Sequence, residues 1–141
     1  AFSLTEEHGF AAFLETPSGN YLFDTGQGTT ILRNARHLKK NGYKILEQNY
    51  RNQLGEIDII AKEKGSLVFV EVKARKTHVF GNPKWAVTPK KQRKISMVAL
   101  YYLKATKQTH VKARFDVVSL SLAKDNPQIE IIKNAFELAY P

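Results

Sequence analysis

The stretch Gly55-Glu-Ile-Asp-Ile-Ile-Ala-Lys-Glu-Lys-Gly-Ser-Leu-Val-Phe-Val-Glu-Val-Lys73 decides the fold. Two runs rich in β-branched residues, Glu56 to Lys62 and Leu67 to Arg75, flank the short polar connection Glu63 to Ser66, which is the pattern of a β-hairpin. Side chains alternate faces along a strand, so Glu56 and Asp58 point one way and Ile57 and Ile59 the other. On the following strand Val68, Val70, Val72 and Ala74 share one face, and Phe69, Glu71, Lys73 and Arg75 take the opposite one. With the apolar faces together, Asp58 and Glu71 converge and Lys73 stands one step along.

Two carboxylates in a small volume repel, and one takes up a proton unless a hard divalent cation uses their oxygens as ligands. Mg2+ suits such donors, with Mn2+ as the substitute. An ion held there polarises a phosphodiester and stabilises the charge that develops in the transition state. A lysine two residues beyond Glu71 orients the attacking water or neutralises the scissile phosphate. Asp, twelve residues, Glu-Val-Lys therefore contains the parts for metal-assisted phosphodiester hydrolysis. Glu-x-Lys alone is a weak sign, because alternation gives many half-exposed strands a charged outer face. Asp58 on the neighbouring strand and the basic tract that begins at Lys73 strengthen it.

Working outward, Tyr43 to Arg51 reads as a third strand and completes a meander. Downstream, after a loop containing Gly81-Asn82-Pro83, Thr88 reads as an N-cap and Pro89 as the first residue of a helix that reaches about Lys104. Ile95, Val98, Ala99 and Tyr102 form its apolar stripe. Lys90, Lys91, Arg93 and Lys94 crowd its first turns, where the helix dipole favours acids, so that a bound phosphate there would offset an unfavourable placement. Gln92 either reaches the same pocket or bonds to backbone at the helix margin. Arg114 to Leu122 and Ile129 to Lys133 read as two further strands, split by Asp125-Asn126-Pro127. Toward the start, a helix from Thr29 or Thr30 to Asn41 ends at Gly42. Before it, Phe10 to Leu14 and Tyr21 to Asp24 form a hairpin around the turn-forming residues Thr16 to Asn20.

The charge pattern supports a polyanionic partner. The 141 residues carry 22 Lys plus Arg against 13 Asp plus Glu, a formal net charge of +9. Residues 1–34 hold four acids and a single base, and no acid occurs between Glu71 and Asp116. Nucleic acid leads as the partner, ahead of anionic membrane. Lys73, Arg75, Lys76, Lys90, Lys91, Arg93 and Lys94 are the candidate backbone contacts. The absence of cysteine excludes disulfides, thiolate catalysis and cysteine-ligated zinc. No apolar run reaches the roughly 18 residues of a membrane helix, and the first residues lack a signal-peptide pattern, so a cytoplasmic protein is expected. His8, His37, His78 and His110 show no close metal-ligand spacing. Tyr101, Tyr102 and Trp85 are candidates for base stacking, with core packing the stronger reading for Tyr102. Neither a glycine-rich phosphate loop nor a serine triad is present.

From about Ala35 onward the chain resembles the YraN-like endonuclease family, within the restriction-endonuclease-like superfamily whose sites are written PD-(D/E)xK. The residues that carry the resemblance are Leu38-Lys-Lys-Asn-Gly-Tyr-Lys-Ile-Leu46, Asn49-Tyr-Arg51, Gly55-Glu-Ile-Asp-Ile-Ile-Ala61, Leu67-Val-Phe-Val-Glu-Val-Lys73, Phe80-Gly-Asn-Pro83, Lys91-Gln92, Arg114-Phe-Asp-Val-Val118 and Asn134-Ala-Phe136. The resemblance implies an α/β fold with an αβββαβ core and the nuclease triad Asp58, Glu71 and Lys73. It adds Glu56 as an extra metal-binding acid and Gln92 as a supporting residue. It also suggests kinship to resolvases that cut branched DNA, and by that analogy a homodimer. Where the family has a Gly-Glu pair in its first helix, Thr30 and Ile31 stand here, so the helical acid is missing. Glu7-His-Gly-Phe10 and Tyr21-Leu-Phe-Asp-Thr-Gly-Gln-Gly28, continuing to Asn34-Ala35, are similar instead to the amino-terminal segment of a metallo-β-lactamase-fold hydrolase, without that superfamily's His-x-His-x-Asp-His signature.

The expectation is thus one folded unit of two segments. Residues 1–34 supply a hairpin and the start of a helix, and residues 35–141 supply an endonuclease-like core that binds DNA and hydrolyses it with Mg2+ or Mn2+. The rival expectations are a nucleic-acid-binding module without catalysis and a chimeric fold that has kept no activity.

Overall fold

The structure is a computed structural model. It describes the backbone of residues 6–7, 11–16, 19–24, 35, 37–75, 87–121 and 128–139, and the side chains of 35, 37–73, 87–119 and 130–139. The expected helix start at Thr29 or Thr30, the loop with Gly81-Asn82-Pro83, His8, His78, Lys76 and Trp85 lie outside these residues, as does the side chain of Arg75.

The opening hairpin is present as β2 (Ala11–Thr16) and β3 (Gly19–Asp24), with Thr16 opposite Gly19; a short strand, β1 (Glu6–Glu7), pairs antiparallel with β2. These three strands form a sheet of their own in the order β1-β2-β3. The main sheet has the order β4-β5-β6-β7-β8, built from β4 (Lys44–Asn52), β5 (Gly55–Glu63), β6 (Ser66–Arg75), β7 (Ala113–Ser121) and β8 (Gln128–Phe136). Helical residues 35 and 37–40 precede β4, and α1 (Pro89–Ala105) lies between β6 and β7. The order is therefore the expected αβββαβ with β8 added at the edge.

All neighbouring pairs in the main sheet are antiparallel except β6 and β7, which run parallel. A parallel pair needs a crossover, and α1 supplies it. Its start is set by local chemistry: Thr88 has extended backbone (φ −63, ψ 154), its Oγ1 accepts from the Lys91 N–H at 3.2 Å, and Pro89 opens the helix. Its first turn contains no acid, and Lys104 occupies the last.

The sheet separates two apolar layers. On the α1 side, Ile95, Val98, Ala99 and Tyr102 pack with Ile60, Leu67, Phe69, Phe115 and Val117. Tyr102 meets Phe69 edge-on, with ring centroids 5.9 Å apart, which fixes it as a core residue, while Tyr101 is exposed. On the other side Leu38 and Tyr43 cover Ile59, Ala61, Val68, Val70, Val72 and Val118. Each fully buried aliphatic side chain here contributes about 1.5–3 kcal/mol. One detail of the alternation is corrected: Ile57, expected to share a face with Ile59, belongs to the α1-side cluster with Ile60. Among the regular partners of β5 and β6, the pairing toward this end stops at Ile59 and Val70, so residues before Ile59 are released from the ladder. Among the described residues no helix is long and apolar enough to cross a membrane.

Candidate functional site

The opening between β5 and β6 creates the site. Beyond the Ile59–Val70 pair, backbone pairing gives way to a side chain: Asp58 Oδ2 accepts from the Val72 N–H at 2.8 Å. The carboxylate wedges into the place of a backbone acceptor and satisfies a donor that the opened ladder would otherwise strand. Glu71, immediately before Val72, alternates onto the α1 side with Phe69, and both acids are nearly buried, Asp58 at 6% and Glu71 at 4% exposure.

Two lysines converge on Glu71. Lys73 Nζ lies 3.5 Å and Lys91 Nζ 3.6 Å from the same oxygen, Oε1. Lys73 arrives along β6, and Lys91 arrives from the first turn of α1 because Thr88 and Pro89 fix where that turn begins. Burial first, and then the adjacent Glu71 carboxylate, hold the Asp58 carboxyl well above the usual range for an aspartate; the Val72 N–H and Lys91 pull it down. Burial and mutual repulsion thus disfavour the charged form of Asp58 even with Lys73 and Lys91 beside Glu71, a condition that a divalent cation would relieve. Asp58 and Glu71 could supply two carboxylate ligands to Mg2+, which often takes one or two carboxylates and completes its shell with water and phosphate oxygens.

The other expected site residues are distributed as follows. Glu56 does not join the pair: its Oε2 is bound to Arg51 Nε at 3.0 Å, and among the described residues no three His, Cys, Asp or Glu side chains are grouped to hold a metal. Gln92 takes the backbone option, with Nε2 donating to the Val87 carbonyl at 2.9 Å, so it secures the entry to α1. Lys90, Arg93 and Lys94 are exposed on the first turns of α1, while Lys91 is half-buried over Glu71. Lys91 was expected only as a backbone contact; the structure adds it to the acid pair. Among the histidines, His37 has its pKa lowered by burial and then by Lys40, and neither it nor His110 lies in a metal-binding group.

A cluster that the sequence reading missed lies across the sheet. Asp116, fully buried on β7, accepts from Arg114 Nε at 2.9 Å, from the Tyr43 hydroxyl at 2.7 Å and from the Asn134 N–H at 2.9 Å. Arg114 continues to Glu63 Oε2 at 2.6 Å, and Lys133 binds the second oxygen of Glu63. Hydrogen bonds from Lys133 first, and then Arg114, lower the Glu63 pKa, while burial and the Asp116 hydrogen bond raise that of Tyr43. The signal was available: Arg114 and Asp116 occupy alternate positions, hence one face, of a strand in which their neighbours Phe115 and Val117 are apolar. Opposite charges balance here and each acid has its donors, so the cluster ties β5, β7 and β8 to the residue before β4.

Fold and site together define an α/β protein with a paired-carboxylate, paired-lysine centre where a meander opens. The chain belongs to UPF0102, described as an uncharacterised protein family, whose model matches residues 33–120. A UPF0102 protein from Syntrophus aciditrophicus (strain SB) is 52% identical over 106 residues, covering 75% of this chain and 84% of the relative. Two solved structures are also similar in part. The crystal structure of a repair endonuclease from Pyrococcus abyssi covers 88% of this chain with a TM-score of 0.36 and 14% identity. The structure of an EndoMS complex with double-stranded DNA covers 89% with a TM-score of 0.40 and 14% identity. The chain spans 57% and 58% of those two chains, respectively.

Proposed function

We propose that this protein is a DNA endonuclease of the PD-(D/E)xK type that hydrolyses phosphodiesters with Mg2+ or Mn2+ bound by Asp58 and Glu71. The observation that carries the reading is the burial of two adjacent carboxylates beneath two lysines at the edge of a basic surface. A divalent ion bound there supplies Lewis-acid polarisation of the phosphoryl group and stabilises transition-state charge. Lys73 orients the attacking water or offsets the phosphate charge, and Lys91 adds a second cation against the same phosphate. In the reaction the water oxygen bonds to phosphorus, the P–O ester bond breaks, and the leaving oxygen takes up a proton. Lys90, Arg93 and Lys94, with Lys73, Arg75 and Lys76, hold the flanking backbone.

Branched or single-stranded DNA is the proposed substrate, the cytoplasm the proposed location and a homodimer the proposed assembly; a monomeric mass in sedimentation would overturn the last. Residues 1–34, which lie almost wholly before the family match at residues 33–120, are proposed to be a separate segment similar to a metallo-β-lactamase-fold hydrolase. Incubating wild type and Asp58→Asn with a DNA junction and a single strand, with Mg2+, with Mn2+ and with chelator, tests the activity. Metal-dependent products that disappear in Asp58→Asn support the nuclease. Salt-sensitive DNA binding, indifferent to metal and to the mutation and without products, would replace it by a binding module. Among the described residues no third metal-ligating side chain joins the pair, which gives that alternative its ground.

A further inference from the structure

Beside the acid pair lies a cleft of about 360 Å3 lined by the β4–β5 turn, residues 51–56, and by Lys91 and Lys94 of α1. We propose that this cleft is a subsite for the phosphodiester backbone of a nucleic-acid strand, seating the nucleotide next to the one at Asp58 and Glu71. The proposal deepens the reading above and rests on its nucleic-acid part.

Three observations point to a phosphate. Cations dominate the lining: Arg51, Lys91 and Lys94 stand against a single acid, Glu56, which is already bound to Arg51. A hydrogen-bond donor lacks an acceptor: Asn52 Nδ2 is screened from solvent and has no partner. The orientation of that amide is not arbitrary, because Asn52 Oδ1 accepts from the Leu54 N–H at 2.8 Å, which leaves Nδ2 as the atom in need of an acceptor. Nδ2 is closed to solvent and reaches a ligand oxygen only if the Asn52 side chain turns, so it is the cations lining the cleft that call for an anionic oxygen, and phosphate provides it. Finally, the cleft and the acid pair share a wall. Lys91 lines the cleft while its Nζ lies 3.6 Å from Glu71, so a strand crossing one site runs into the other.

The turn is built to hold its shape. Gly55 has φ +150, which residues with a side chain rarely adopt, and a Cβ there would also press on Val98 Cγ2 at 3.3 Å, so glycine suits the turn's approach to α1. Leu54, 44% exposed, stands at the rim and offers apolar surface to a sugar or base.

The test is binding of a fluorescein-labelled oligothymidylate, followed by anisotropy in chelator across a salt series. Asn52→Asp keeps the acceptor that holds Leu54 but replaces the donor by a charge that repels phosphate. Lys94→Gln removes one exposed cation. Both variants should unfold at temperatures close to wild type. Asn52→Asp should weaken binding about tenfold at low salt, and Lys94→Gln should lower the slope of log K against log salt by about 0.7. Wild-type affinity and slope in both variants would overturn the subsite, even if the protein cuts DNA. Loss of binding in both variants would uphold it, even if no cleavage is ever seen. Inorganic phosphate that displaces the oligothymidylate at a concentration equal to that of competing oligonucleotide would mark an isolated anion site and overturn the strand claim.

Discussion

Asp58 has a structural role beside the chemical one proposed for it. One of its oxygens replaces the backbone partner of Val72 where β5 and β6 separate, so the opening that makes room for the site is stabilised by the site itself. Asp116, across the sheet, shows the opposite use of a buried acid, with every donor supplied by the protein. Replacing it with alanine leaves the half-buried Arg114 without its main partner and the Tyr43 hydroxyl and Asn134 N–H without their acceptor. Asp116→Ala should therefore cost about 3–5 kcal/mol in denaturant unfolding; a loss below 1 kcal/mol would show that the cluster is not a clamp. Glu63 gives a pH dependence with a definite sign. Its folded pKa is depressed, so its stabilisation is present above the ordinary glutamate value of 4.5 and disappears as pH falls through the folded value. Glu63→Gln should lower the melting temperature at pH 7, with the difference from wild type closing as the pH drops below about 4.5. A difference that stays constant through that range would contradict the assignment.

At the level of elements, the proposed function has α1 trade stability for binding. Its first turn contains no acid and exposes Lys90 where the dipole disfavours positive charge. Lys90→Glu should stabilise the free protein by about 0.3–1 kcal/mol while weakening DNA binding, measured as a raised melting temperature together with a raised Kd. A melting temperature that falls would show that the lysine has a structural partner. The element boundaries were legible in the sequence because local chemistry fixes them: Thr88-Pro89 starts α1, Gly42 follows the first helical segment, and the short connection at Glu63 to Ser66 closes the β5–β6 hairpin. Alternation placed Glu71 and Lys73 together correctly. It failed at Ile57, where the ladder opens, and it did not distinguish Glu56 from Asp58, because Arg51 binds Glu56 from the neighbouring strand. Lys91 was out of reach of any local pattern: only the docking of α1 on the sheet brings it to Glu71.

For the molecule as a whole, the two sheets have separate strand orders, and the segment before residue 33 lies outside the family match. A chain beginning at Thr29, which removes β1 to β3, should keep cooperative unfolding and the DNA affinity of the full chain; loss of cooperativity would make the amino-terminal sheet part of the core. The proposed chemistry depends above all on the acid pair as a place for a cation. Titrating the full chain with Mn2+, followed by water-proton relaxation, measures this directly. One ion per chain bound in wild type and lost in Glu71→Gln is the predicted result. Equal Mn2+ binding by the two proteins, or none by either, would contradict it.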